Sequence, residues 1–213
     1  MNSFERHKDR LFCEGVALDV MASKYGTPLY VYSRACIEQA YLAYQTALAD
    51  HDHLICYAVK ANSNLAILSV LAKLGAGFDI VSLGELERVI AAGGDPTKVV
   101  FSGVCKTHAA IKRALEVGIH CFNVESESEL EALSEVAQAS GMVAPISLRV
   151  NPDVDAQTHA SAPAGLPDTY CGVELDRALT IHAVKAIGPL MDILRVAELP
   201  RRGFLLHSWN GPV

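Results

Sequence analysis

No run of about 18 apolar residues occurs anywhere in this chain of 213 residues, so nothing in it has the composition of a membrane-spanning helix. A basic surplus or stripe is also missing. The formal net charge is −6, which argues against a general nucleic-acid binder. Met1 to Arg10 alternates charged and polar residues without the apolar core of a signal peptide. The six cysteines (Cys13, Cys36, Cys56, Cys105, Cys121 and Cys171) lie far apart, without paired metal spacing or the density of a disulfide scaffold, so reduced thiols are expected. Neither Gly75-Ala76-Gly77 nor Gly93-Gly94 forms the Gly-x-Gly-x-x-Gly fingerprint of a dinucleotide-binding sheet. Together these absences describe a soluble, cytoplasmic protein with no nucleic-acid or membrane partner.

Apolar residues make up 51% of the chain, enough for a sizeable core. Short apolar runs alternate with segments of helical spacing, and no hairpin turn separates them. The predicted strands are Leu54 to Val59, Gly77 to Val81, Val99 to Ser102, Cys121 to Val124 and Pro145 to Val150. Helices are predicted from Leu65 to Leu74, Ser82 to Ala92, Thr107 to Glu116 and Ser126 to Ser140, with Glu129 placed for a capping box. Upstream, Val16 to Tyr25 has helical spacing, Leu29 to Tyr32 is strand-like, and Ser33 caps a helix from Arg34 to Leu48. Downstream, 151–172 has no period, Leu175 to Ile187 is helix-like, Met191 to Leu199 fits helix or strand, and Gly203 to His207 reads as a sixth strand. Strands alternating with helical crossovers predict a parallel sheet, with an eight-fold (β/α)8 barrel of TIM type as the favoured form and a doubly wound open sheet as its competitor. Residues 1–33 form an amino-terminal segment and 34–213 the barrel portion.

Polar residues recur where the strands end, at Lys60, Asp79, Ser102, Asn123 and Arg149. In a parallel barrel such positions converge on one mouth. A half-buried lysine at a strand exit can lose part of its proton affinity and attack a carbonyl, whereas an ordinary loop lysine is simply solvated. Asp79 is read either as a site group or as a helix N-terminal charge. Glu85, one turn into the following helix, is read the same two ways. Ser102 is a ligand or strand punctuation, and Asn123 and Glu125 either face the site or start the next helix. Arg149 stands inside an apolar strand, so it is expected to serve the site or an internal ion pair. His159 and His207, each taken alone, fit a surface or core role.

Five phrases resemble, in order and spacing, the amino-terminal half of the diaminopimelate decarboxylases, a branch of the fold-type III pyridoxal-phosphate decarboxylases. They are Tyr57-Ala58-Val59-Lys60-Ala61-Asn62, Gly77-Phe78-Asp79-Ile80-Val81-Ser82-Leu83-Gly84-Glu85-Leu86, Phe101-Ser102-Gly103-Val104-Cys105-Lys106-Thr107, Phe122-Asn123-Val124-Glu125-Ser126 and Leu148-Arg149-Val150-Asn151-Pro152. The resemblance implies a barrel that binds pyridoxal 5'-phosphate, a small amino-acid substrate and a homodimer. It implies that Lys60 carries the cofactor as a Schiff base and that Ala58, Asp79 and Arg149 lie near it, with Ser102 a further cofactor-site candidate. His207 matches a histidine that stacks on the pyridine ring and counts as catalytic with Lys60. No metal is implied.

The family's His-Pro-Tyr-Ile-x-Thr-Gly loop corresponds here to His159-Ala160-Ser161-Ala162-Pro163-Ala164-Gly165, a departure from the pattern. The family's glycine-rich phosphate turn, its ring-nitrogen acid and its β-domain all lie beyond the matched portion. The barrel is therefore expected to be incomplete, with about six strands, the carboxyl-terminal β-domain missing and exposed sheet edges. A chain of this extent is expected not to turn over substrate alone. A non-catalytic binding protein that pairs with a full-length homologue, another decarboxylase or racemase of the same class, and an open-sheet protein with a structural Lys60 are the rival expectations.

Overall fold

The computed structural model describes residues 3–151 and the strand backbones at 150–151, 173–174, 193–194, 196–198 and 204–207. The chain divides into two compact units, Met1–His51 and Asp52–Val213.

The first unit opens with an antiparallel sheet of β1 (Phe4–His7), β2 (Arg10–Cys13) and β3 (Val16–Ala17). These strands carry no clean alternation of apolar and polar residues, so the sequence does not announce them. Helix α1 (Leu18–Tyr25) takes most of the predicted helical stretch, and α2 (Arg34–Ala47) follows. Ser33 caps α2 by accepting a hydrogen bond from the Cys36 amide at 3.0 Å. Its hydroxyl also donates to Glu14 Oε1, which accepts from the Ala35 amide as well. Those two bonds hold the Glu14 carboxyl below its ordinary pKa. The strand expected at Leu29 to Tyr32 does not form. Tyr30 is 84% exposed, and no neighbouring strand pairs with this segment among the described residues; a lone extended segment has no ladder to join.

The second unit is the α/β part. Strands β4 (Leu54–Ala58), β5 (Gly77–Ile80), β6 (Val99–Phe101), β7 (Cys121–Val124) and β8 (Ile146–Leu148) alternate with α3 (Leu65–Lys73), α4 (Leu83–Ala91), α5 (His108–Val117) and α6 (Glu127–Ser140). Each strand lies parallel beside the one before it. That order is the winding of a barrel rather than of a doubly wound sheet, where the direction of addition reverses. The four helices start on Asn64, Ser82, Thr107 and Ser126, each accepting a backbone amide with its side chain. Helices α5 and α6 end on left-handed Gly118 and Gly141, where a side chain would be strained.

The remaining strands are β9 (Val150–Asn151), β10 (Val173–Glu174), β11 (Ile193–Leu194), β12 (Val196–Glu198) and β13 (Phe204–His207). β9 pairs parallel with β10, and β11 lies parallel beside β8. The sixth parallel strand is therefore β11, within the stretch that fitted helix or strand. The expected sixth strand, β13, runs antiparallel to β4 and forms an antiparallel pair with β12. β11 and β12 are one residue apart in the chain but sit at opposite ends of the sheet order. The edges of the five-strand series, at β4 and β8, each have a backbone partner, in β13 and β11, so the outermost strands of the sheet are β11 and β12. The helix-like stretch at 175–187 and His159 lie outside the described residues.

Alternation along the strands divides the core. Phe78, Ile80, Phe101, Phe122, Val124 and Ile146 face one way and are fully buried with Leu68, Leu71, Leu86, Val89, Ile111 and Leu133 of the helices. The Phe101 and Phe122 rings stack with centroids 6.0 Å apart. The other face begins with a buried cluster of Cys56, Val100 and Cys121, against which Leu54 packs. Gly77 faces the same way, and a Cβ there would lie 2.6 Å from Lys98 O and 2.7 Å from Cys56 Sγ.

Gly77→Ala is expected to cost about 1–3 kcal/mol through overpacking, read as a lower urea midpoint at unchanged slope. Thiol chemistry gives a second check. Cys36 and Cys105 are exposed, and hydrogen bonding with Ser3 and Ser33 lowers the Cys36 pKa. Burial raises Cys56 well above the ordinary value and Cys121 to about 12. Alkylation followed by peptide mass spectrometry is expected to label Cys36 and Cys105 in the folded protein, Cys36 first. Cys56 and Cys121 should label only after denaturation.

Candidate active site

Strand β4 ends in one 3-10 turn, Val59–Ala61, which carries Lys60 at its centre. The turn is shaped by its flanks: Asn62 Oδ1 accepts the Asn64 amide at 3.0 Å, and Asn64 Oδ1 accepts that of Ala66 at 2.9 Å. The Tyr57 hydroxyl donates to Asn62 O at 3.4 Å. Val59 is fully buried while Lys60 is exposed. The amine therefore stands at the carboxyl end of β4 but is not the half-buried group that a strand exit implied.

Register places the other candidates. Ala58 is directly beside Asp79, and Asp79 beside Val100, so Ser102, two residues on, shares their face. Val100 is beside Cys121, which sets Asn123 on that face, and Asn123 is beside Ser147, which brings Arg149 round in turn. Period-two alternation makes these five positions one layer at the carboxyl ends of five strands. Hydrogen bonds join them. Asn123 Nδ2 donates to Ser102 Oγ at 2.8 Å, and Ser102 Oγ donates to Asp79 Oδ1 at 2.5 Å. Asp79 is 2% exposed, so its carboxylate is held by a directed donor rather than by water. The acid in the first turn of α4 is Glu85 and its cap is Ser82, which leaves Asp79 out of that role. Ser147, beside Asn123, has a buried hydroxyl with no hydrogen-bond partner among the described residues.

A second network lies behind this layer. Glu125 is buried; its Oε1 accepts the Gly103 amide at 2.8 Å and its Oε2 accepts Arg149 Nη1 at 3.0 Å. Arg149 thus has the internal ion pair expected of a guanidinium in an apolar strand. Lys106, whose side chain is 0% exposed, donates to Glu129 Oε1, to Gly103 O at 2.7 Å and to Asn123 O at 2.8 Å. Its ammonium also sits 5.5 Å from the Phe101 ring centroid. Burial raises the Glu129 pKa, and the Lys106 charge opposes that rise. Sequence reasoning missed Lys106 and the carboxylate role of Glu125. The only available signal was their place in the phrases Gly103-Val104-Cys105-Lys106 and Val124-Glu125-Ser126, next to strand exits.

Asn123 faces the layer, and the helix start falls to Ser126. The capping box at Glu129 forms with a shift: the Glu129 amide donates to Ser126 Oγ at 3.3 Å, and Glu129 Oε2 accepts the amide of Glu125, one residue before the cap. Glu85 does the same at α4, its Oε2 accepting the Val81 amide at 2.7 Å. The backbone of His207 lies opposite Leu54, at the amino end of β4 and away from Lys60. Its side chain lies outside the described residues. Lysine amine, guanidinium and amide as donors, with hydroxyls and a buried carboxylate beside them, suit a small anionic ring compound with an aldehyde, and the Ser147 hydroxyl is a buried polar atom of the layer without a partner among the described residues.

A parallel α/β barrel portion with a lysine on the turn after one strand and a buried acid at the end of the next is the class that fold and site define. Residues 34–191 match the family described as pyridoxal-dependent decarboxylase, pyridoxal binding domain, and the chain belongs to that family. It is 62% identical over 196 residues to the diaminopimelate decarboxylase of Pseudomonas aeruginosa, covering 92% of this chain and 47% of that protein. It is 56% identical to the diaminopimelate decarboxylase of Vibrio cholerae, covering 91% and 46% respectively. The crystal structure of diaminopimelate decarboxylase from Helicobacter pylori complexed with L-lysine superposes with a TM-score of 0.79 at 41% identity, over 83% of this chain and 45% of that one. The chain spans about half the length of the curated relatives it matches.

Lys106→Met is expected to lower stability by about 3–5 kcal/mol, because Glu129 is left buried without its cation. Lys106→Met combined with Glu129→Leu should recover much of that loss, both measured by denaturant unfolding.

Proposed function

We propose that this chain carries the cofactor-binding barrel, residues 34–213, of an enzyme that converts meso-2,6-diaminopimelate to L-lysine with pyridoxal 5'-phosphate. The identity to diaminopimelate decarboxylases over more than nine-tenths of the chain supports the substrate. The single observation that carries the chemistry is the hydrogen-bonded layer Asp79–Ser102–Asn123 at the strand ends beside the Lys60 turn. When bound, pyridoxal phosphate supplies an electron sink for the pair left on carbon as carbon dioxide departs. Lys60 would supply the amine that holds the cofactor, and its exposed position would leave it accessible to a substrate amine. Asp79 presents a fixed carboxyl group within a buried layer, where its electrostatic interactions are stronger than in water. Ser102 and Asn123 hold that carboxylate in one orientation. Arg149, tethered on one side by Glu125, sets positive charge at the same mouth.

A homodimer and a cytoplasmic location belong to the same proposal. No described helix is long and apolar enough to cross a membrane.

Pyridoxal phosphate added to the purified chain, followed by borohydride and peptide mass spectrometry, is expected to leave the reduced cofactor on Lys60. Lys60→Ala should abolish that mark. Meso-diaminopimelate present before reduction should lower the labelling more than ornithine or arginine does. Labelling spread over surface lysines, or unchanged in Lys60→Ala, would overturn the site. Equal competition by all three amino acids would overturn the substrate.

A further inference from the structure

The turns into α4 and α6 share one backbone plan, and the residue before the cap differs between them in a way that isolates a side chain with a separate job. Each has a serine cap, Ser82 or Ser126, and a glutamate three residues on whose carboxylate reaches back to the amide of the residue before the cap. At α4 that residue is Val81. At α6 it is Glu125. The cap uses only its backbone N–H, as Val81 demonstrates, so the Glu125 carboxylate is not needed to start the helix. It is nevertheless 2% exposed, and burying an ionised carboxylate is costly unless it is fully partnered.

Its partners are the loops on either side. Oε1 takes the Gly103 amide after β6, and Oε2 takes Arg149 Nη1 after β8, while Glu125 itself follows β7. The Arg149 amide donates to Val124 O at 2.9 Å, so the arginine backbone is already docked beside Glu125. The carboxylate adds a tether on one side of the guanidinium, at Nη1. Gly103 stands next to Ser102, whose amide is fixed to Ile80 O at 2.8 Å and whose hydroxyl faces Asp79. Gly103 adopts a φ of +89°, open to glycine because it has no Cβ, and the hydrogen bond from its amide to Glu125 pins the turn at that residue.

We propose that Glu125 is a positioning residue for the mouth: it orients the Arg149 guanidinium and holds the Ser102–Gly103 turn, and through them sets the affinity for pyridoxal phosphate. This rests on the mouth being the cofactor site. Glu125→Gln keeps an oxygen for the Gly103 amide but turns an NH2 group toward the guanidinium, so it breaks the Arg149 arm selectively. Loss of one charge-assisted bond weakens binding by about tenfold.

The test is a double-mutant cycle on the full chain, with the pyridoxal phosphate Kd read by spectroscopic titration and unfolding followed in parallel. Glu125→Gln is expected to raise Kd about tenfold, and the same substitution in an Arg149→Met background to change it less than about twofold. Glu125→Asp, which keeps the charge one methylene short, is the second variant should the glutamine form fail to fold. It is expected to raise Kd about threefold and to lose that effect in the Arg149→Met background. A purely structural role would lower the unfolding midpoint and leave the Kd of folded protein unchanged, and that result would overturn the proposal. So would an undiminished effect in the Arg149→Met background. If the unsubstituted chain shows no attachment at Lys60, the cofactor site itself fails, and this inference with it.

Discussion

Five parallel strands held in matched register present alternate side chains to one face, and this alternation is the constraint on which the site depends. Beside one another on that face stand a small apolar layer of Cys56, Val100 and Cys121 and, two residues further along, a polar layer of Asp79, Ser102 and Asn123. A slip of one residue in any strand would send its polar member toward the helices and an aromatic or aliphatic residue into the mouth. The register is guarded on both sides. Phe78, Phe101 and Phe122 must be buried against the helices, and Gly77 fits only where Cys56 and the Lys98 carbonyl close over it.

Charge burial is the second constraint, and it follows from the first. Placing carboxylates at strand exits takes them out of water, which is tolerable only with dedicated partners. Glu125 has an amide and a guanidinium, and Glu129 has Lys106 and an amide. The bonds of Glu125 to Gly103 and Arg149, and of Lys106 to Glu129, run between consecutive loops. The loops after β6, β7 and β8 therefore act as one assembly instead of three mobile connections, the condition for holding a small ligand in a fixed pose. Lys60 sits outside this assembly, on a turn organised by Asn62 and Asn64, and stays exposed. The polar layer is thus buried and cross-braced, while the amine beside it is accessible to solvent.

Much of this was legible beforehand. The alternation of strand and helix, the four helix starts and the recurrence of polar residues at strand ends follow from local chemistry: apolar period, side-chain caps and glycine stops. Asp79, Ser102 and Arg149 could be singled out because a polar residue closing an apolar strand is conspicuous. Lys106 could not, since a lysine in a loop looks solvated until the Phe101 ring, two carbonyls and Glu129 are seen around it. The β1–β3 sheet was likewise hidden by charged residues, and β13, expected as the sixth strand of the parallel series, runs antiparallel to β4 instead.

The sequence by itself determined which segments between Leu54 and Leu148 become strand or helix, because propensity, capping and period act within a few residues of one another. It also carried the family phrases around Lys60 and Asp79. Tertiary structure alone decided which of the polar residues meet, that Glu125 reaches across to Gly103 and Arg149, that Lys106 is buried, and that β13 runs antiparallel along the edge of β4. Those outcomes depend on distances between residues far apart in the chain, and only the closing of the sheet sets them.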